Sequence, residues 1–183
     1  MSLFGFGKKK EKKKESPEEF LARFNAEQGN WYEAFYFSHK AEIDLYDGQI
    51  ADIRGQAKNA PTEQIRLQKL CECKAMLESF KTWCISQKGG TEYYEKHDKF
   101  GPDSKSYYEA ILDEIRDIEY RNNTVIPAII EAASREGGII QTELYKEINY
   151  DKNIVRDMIY HLEQEGRVTR EKKGNSYIVR AAK

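Results

Sequence analysis

The sequence has no long apolar run. Across 183 residues there is no stretch of about 18 apolar residues, the length a helix needs to cross a bilayer, so no membrane span is expected. The first residues, Met1 to Lys14, place their lysines after the apolar positions and hold no long apolar core. They do not have the order of a secretory signal, and a cytoplasmic location is expected. Cysteine is scarce. Cys71, Cys73 and Cys84 make an odd count, which suits free thiols in a reducing compartment rather than a disulfide framework. They also make a poor metal set. On one helix, positions 71 and 73 point about 200° apart. Cys73 and Cys84 share a face but lie about 16 Å apart along it. Glycine never falls into a phosphate-loop or dinucleotide pattern, and HExxH and GxSxG are missing. His39 and His97 have no partner in the sequence pattern and are expected to be structural or exposed, and His161 to lie on a helix surface. No enzyme activity, cofactor or metal is therefore expected.

What is present is charge, unevenly spread. The net charge is −1, but residues 1–15 carry +4, residues 16–120 carry −7 and residues 121–183 carry +2. The chain thus reads as a basic tail, an acidic middle and a mildly basic end. In the tail, Phe4 and Phe6 precede the block Lys8–Lys14, KKKEKKK. Like charges repel and bury nothing, so residues 1–15 are expected to be disordered. Each lysine near an anionic lipid or nucleic-acid surface is worth about 1 kcal/mol, enough for weak contact there.

Residues 16–120 read as all-helical. Ser16 and Glu19 form a capping-box pattern around Pro17. Asn30, with Glu33 three residues on, marks the next start. A long helix is expected from Trp31 to about Lys58, weakened at Gly48 and Gly55. The segment 62–86 has the clearest period: Leu70, Cys73, Leu77, Phe80 and Cys84 form one apolar seam. Gly89 and Gly90 break it. Residues 91–103 are expected to be irregular, apart from a short turn near Tyr93–His97. A last helix, 104–120, repeats the seam with Tyr108, Ile111, Ile115 and Ile118. These seams can close within one chain as a bundle or between two chains as a homodimer interface. The aromatic group Trp31, Tyr32, Phe35, Tyr36 and Phe37 is expected to be mostly core.

After Arg121 the texture changes. Asn122–Thr124 can cap a helix whose inner face is Val125, Ile126, Ile129, Ile130 and Ala133. Gly137-Gly138 stop it, and Ile139-Ile140 make a short strand. A second short helix starts at Thr142. Asp151 caps a third, whose inward residues are Val155, Met158, Ile159 and Leu162. Gly166 ends that helix. Two strands, Arg167–Glu171 and Ser176–Arg180, follow around a tight Gly174-Asn175 turn.

The stretch IIQTELYKEINYDKNIVRDMIYHLEQEGRVTREKKGNSYIVR, positions 139–180, resembles the winged helix-turn-helix of bacterial transcription regulators, most nearly of the MarR type. The overall expectation is a mainly α protein. An N-terminal helical bundle or dimerisation region, 16–120, is followed by a C-terminal winged helix-turn-helix with a small β-hairpin wing, 121–183. The resemblance implies that the third helix enters the major groove of double-stranded DNA, presenting Lys152, Asn153, Ile154, Arg156, Asp157 and Tyr160. Lys152 and Arg156 suit phosphate or guanine, and Asn153 suits adenine. It places Arg170, Lys172, Lys173 and Asn175 on the wing, over the backbone or minor groove. Gln141 and Thr142 would meet a phosphate through backbone amides. The other reading is a protein-interaction or scaffold module with a protein partner. Asp157 on the groove-facing side and the low net charge favour that one.

Overall fold

The computed structural model describes residues 14–98 and 105–182. Lys8–Lys13 and residues 99–104 lie outside the described residues. The protein is mainly helical, with one small antiparallel sheet at its C-terminal end. It divides into two compact units, with the boundary between Ile111 and Leu112.

The first unit holds α1 (Pro17–Glu27), α2 (Trp31–Ser38), α3 (Lys40–Lys58), α4 (Glu63–Ser86) and α5 (Gly90–His97). Helix α1 starts on the full capping box: the Glu19 amide donates to Ser16 Oγ, and the Ser16 amide donates to Glu19 Oε2. The Asn30 side chain caps α2 through the Glu33 amide. The expected long helix from Trp31 is interrupted at His39, where φ is −127° and ψ 22°, and the glycines sit inside an unbroken α3. The break lets Phe35 and Ile43, on either side of it, enter one core with Phe80, Cys84, Tyr93 and Tyr94. Packing overrides propensity here. The α4 seam is buried at all five expected positions, and a single chain is enough to bury it. Of the aromatic group, Phe35 is core, while Trp31 is exposed.

Further expectations change. Residues 90–97 form a full helix, because Gly90 lets the α5 backbone press on the end of α4. A β-carbon there would stand 1.9 Å from the Cys84 carbonyl oxygen and 2.9 Å from Phe35 Cε2. His97 also has partners. Its Nε2 lies 3.0 Å from Asp47 Oδ1 and its Nδ1 3.2 Å from the Tyr93 hydroxyl. Asp47 Oδ1 accepts from the Nε2–H, and Nδ1 pairs with the Tyr93 hydroxyl.

Helix α6 (Tyr107–Tyr120) runs into a π-helical turn, Arg121–Val125, and on into α7 (Ile126–Ala133). Asn122–Thr124 therefore do not cap a new helix; the chain stays helical through them. Pro127 accounts for the π turn. It has no N–H and would crowd the carbonyl four residues back, and the widened turn bonds the Ile126 amide to Arg121 O instead. The second unit continues with β1 (Ile139–Ile140), α8 (Gln141–Glu147), α9 (Lys152–Gln164), β2 (Val168–Lys173) and β3 (Ser176–Ala181). The sheet order is β1-β3-β2, all antiparallel. The pairs Val168↔Ala181 and Lys173↔Ser176 fix the hairpin register. The core is Val125, Ile129, Leu144, Val155, Met158, Ile159, Leu162, Val168 and Val179, together with Ala132, Ala133, Ile139 and Ile148. This is the expected element order, in a winged-helix-like arrangement.

Two measurements check this packing. Gly90→Ala should cost about 2–4 kcal/mol in urea unfolding, because backbone must move. Gly48→Ala, in open space on α3, should gain about 0.5–1 kcal/mol. Burial pushes the Cys84 thiol up to about 12. A disulfide reagent at pH 8 should therefore label exposed Cys71 in the native protein. Cys73 and Cys84 should react only after unfolding.

Candidate nucleic-acid interface

The outward side of α9 and the adjoining hairpin form the candidate surface. Helix α9 exists because four apolar residues recur at helical spacing and Asp151 closes its start. The Asp151 carboxylate accepts from the Asn153 amide at 2.8 Å and the Ile154 amide at 3.1 Å. Those amides are thereby committed, and a carboxylate occupies the place where an anion would otherwise bind the helix start. With Val155, Met158, Ile159 and Leu162 buried, Lys152, Asn153, Arg156, Asp157 and Tyr160 are left exposed, and Ile154 is half-buried.

The charged residues of this unit are not equally available. Each arginine has a carboxylate partner: Arg116 with Asp113, Arg121 with Asp117, Arg135 with Glu147, Arg156 with Asp157, Arg167 with Glu165, Arg170 with Glu163 and Arg180 with Glu171. The Arg156–Asp157 pair, at 3.1 Å, is open to water on both sides. Such a pair holds little energy and can exchange for a phosphate. Lys152 lies 5.4 Å from the centre of the Tyr145 ring. Lys146, Lys172 and Lys173 make no ion pair among the described residues and are exposed.

At the tip of the hairpin, Gly174 takes φ +60°, and no other residue type has positive φ anywhere among the described residues. A two-residue loop with glycine first and an ordinary second residue continues the strand twist into the next strand. Lys172, Lys173 and Asn175 are displayed there, in solvent.

Two of the expected contact residues have side chains turned inward, which leaves the backbone-amide expectation for Gln141 as it was. Gln141 is buried, its amide donates to the Tyr145 hydroxyl, and its Oε1 has no partner. Thr142 beside it is exposed. Arg170 is only 10% exposed. Its Nε and Nη2 reach Glu163 Oε2 at 2.8 and 2.6 Å, and its guanidinium lies 3.8 Å from the Tyr160 ring centre and 5.1 Å from that of Tyr177. Burial works against its charge, and Glu163 and Tyr160 outweigh that, so its pKa is held above the ordinary value. Tyr145, Glu163 and Tyr177 were not singled out from the sequence. They gain their role through partners on other elements, and only the strand alternation hinted that Tyr177 faces the same way as Val179.

Among the described residues, no group of three or more His, Cys, Asp or Glu can hold a metal ion, and no helix is long and apolar enough to cross a membrane.

The fold and surface define a small winged-helix-like unit with a lysine-tipped hairpin. Residues 130–179, from within α7 to β3, match the model of the family described as the B-block binding subunit of TFIIIC. The match spans the second, third and hairpin elements of that unit and leaves the first unit uncovered. No curated protein and no solved structure matches the chain.

Removing the cap tests how the start of α9 is held. Asp151→Ala should lower stability by about 1 kcal/mol in denaturant unfolding. An unchanged midpoint would mean that the cap contributes nothing to α9.

Proposed function

We propose that this is a DNA-binding protein acting in transcription, and that its C-terminal unit contacts duplex DNA through α9 and the hairpin. The observation that carries this reading is the family match. The matched family is described by what it binds, the B-block, and the matched residues include those that build α8, α9 and the hairpin. The surface supports it: Lys172, Lys173 and Asn175 project at the hairpin tip beside an exposed helix face. The hairpin lysines supply sequence-independent phosphate attraction, and Asn153, Arg156 and Tyr160 face the bases. The finer reading, a MarR-like regulator that pairs two such units as a homodimer on two half-sites, rests on the resemblance of residues 139–180 alone. The first unit then senses. Its cleft of about 270 Å³, between Ile50, Leu77, Phe80, Tyr94 and the carboxylates of Asp47 and Asp98, has room for a small ligand.

A second reading, a protein-interaction module in the cytoplasm, is favoured by the committed arginines and by Asp157. Titration of the full chain with a random-sequence duplex, by fluorescence anisotropy across a salt series, separates the two. Binding should weaken steeply with salt. Lys172→Ala with Lys173→Ala should lower the slope of log K against log salt by about 1.8, two phosphate contacts' worth. Glutamine in place of the six lysines of Lys8–Lys14 should leave the slope of the C-terminal contact in place. Absence of binding at low salt would sink the DNA reading and leave the protein-partner module.

A further inference from the structure

We infer that Arg170 does not touch DNA but is a positioning residue, which locks the hairpin against α9 and so fixes where the lysine tip is held. This rests on the DNA reading above for its functional consequence, while the lock itself stands on geometry.

In β2, residues 168, 170 and 172 share a face, and the register sets them opposite Ala181, Val179 and Tyr177 on β3. Val168 and Val179 on that face are buried against α9 and its neighbours. Arg170 therefore points into the junction between hairpin and helix rather than outward. There it meets two elements at once. From α9 come Tyr160, whose ring centre is 3.8 Å from the guanidinium carbon, and Glu163, three residues on and hence on the same side of the helix. From β3 comes Tyr177, diagonal to Arg170 across the pair of strands. The guanidinium is flat, and a flat cation can lie on an aromatic face while its edge donates to a carboxylate; an ammonium cannot do both. Its Nη1 is buried with no hydrogen-bond acceptor, and the electron-rich ring faces are the groups beside it. To reach a phosphate, Arg170 would have to leave Glu163 and both tyrosines. The sequence position of an arginine in a hairpin wing suggests a backbone contact. The structure assigns it the opposite direction.

The lock reaches the surface through Tyr160. That ring is 43% exposed on the outer side of α9, with its other side against Arg170. One residue thus sets both the rotamer of an aromatic on the helix face and the base of the strand that carries Lys172 and Lys173.

The test uses the full-length chain with Arg170→Ala and Arg170→Lys. Two readouts are taken: the salt series with random-sequence duplex, and amide hydrogen exchange without DNA. Both variants should weaken binding about tenfold at fixed salt while leaving the slope of log K against log salt unchanged. Exchange should quicken in β2, β3 and the last turns of α9, and not in the first unit. A slope lowered by about 0.9 in Arg170→Ala and restored in Arg170→Lys would show a phosphate contact and overturn the inference. So would exchange that quickens evenly over both units, which would make Arg170 a general stabiliser. If the wild-type chain binds no duplex, the DNA reading fails by itself and exchange decides the lock. Hairpin exchange in Arg170→Ala equal to wild type would then overturn it.

Discussion

Val155, Ile159 and Leu162 lose nearly all contact with water when α9 lies against the strands behind it. Each such side chain contributes on the order of 1.5–3 kcal/mol by leaving water. The rest of the C-terminal unit follows from this one burial. It decides which side of α9 faces outward, and therefore that Asn153, Arg156 and Tyr160 share a surface. It also gives the hairpin something to lean on, since Val168 and Val179 enter the same core from the sheet side. An isolated hairpin of two strands is marginal in water, so the wing depends on this contact.

On that scaffold the electrostatics are selective. The unit has nearly balanced charge, yet its positive groups differ in what they can do. The arginines are bound to carboxylates, one of them deep in the junction, whereas the hairpin lysines stand in solvent. A lysine ammonium on a flexible stem suits loose phosphate attraction, and a stacked arginine suits fixed geometry. In the DNA-binding reading proposed above, Arg170 holds the hairpin and the Lys172-Lys173 pair contacts phosphate. This arrangement makes a modest net charge compatible with a localised positive site.

The helical unit follows a different rule, dense aromatic packing. Phe35, Phe80, Tyr93 and Tyr94 form its centre, and Tyr32, Tyr46 and Trp83 pack around them. Rings of this size need close backbone approach somewhere, and Gly90 supplies it where α5 meets the end of α4. Burial raises the pKa of the Tyr93 hydroxyl, with its neighbours adding less, so it keeps its proton beside His97 Nδ1. The histidine bridges α5 to α3 through Asp47 and ties the unit together across fifty residues of chain.

Sequence alone determined whatever depends on neighbours along the chain. The α4 seam, the Ser16 and Asp151 caps, the apolar face of α9, the short strand at Ile139 and the Gly174 turn are all written at spacings of two to four residues, and each was legible for that reason. Tertiary structure decided what depends on residues far apart. The interruption at His39 comes from two helices sharing one aromatic core. The π turn at Arg121–Val125 comes from carrying a helix through Pro127. His97 gained Asp47, and Arg170 gained Glu163, Tyr160 and Tyr177, through packing that no local pattern encodes. An arginine four residues before the turn glycine of a hairpin looks the same in sequence whether it points to solvent or inward. The strand register and the helix behind it choose the direction, because only there can a buried guanidinium find its carboxylate and its rings.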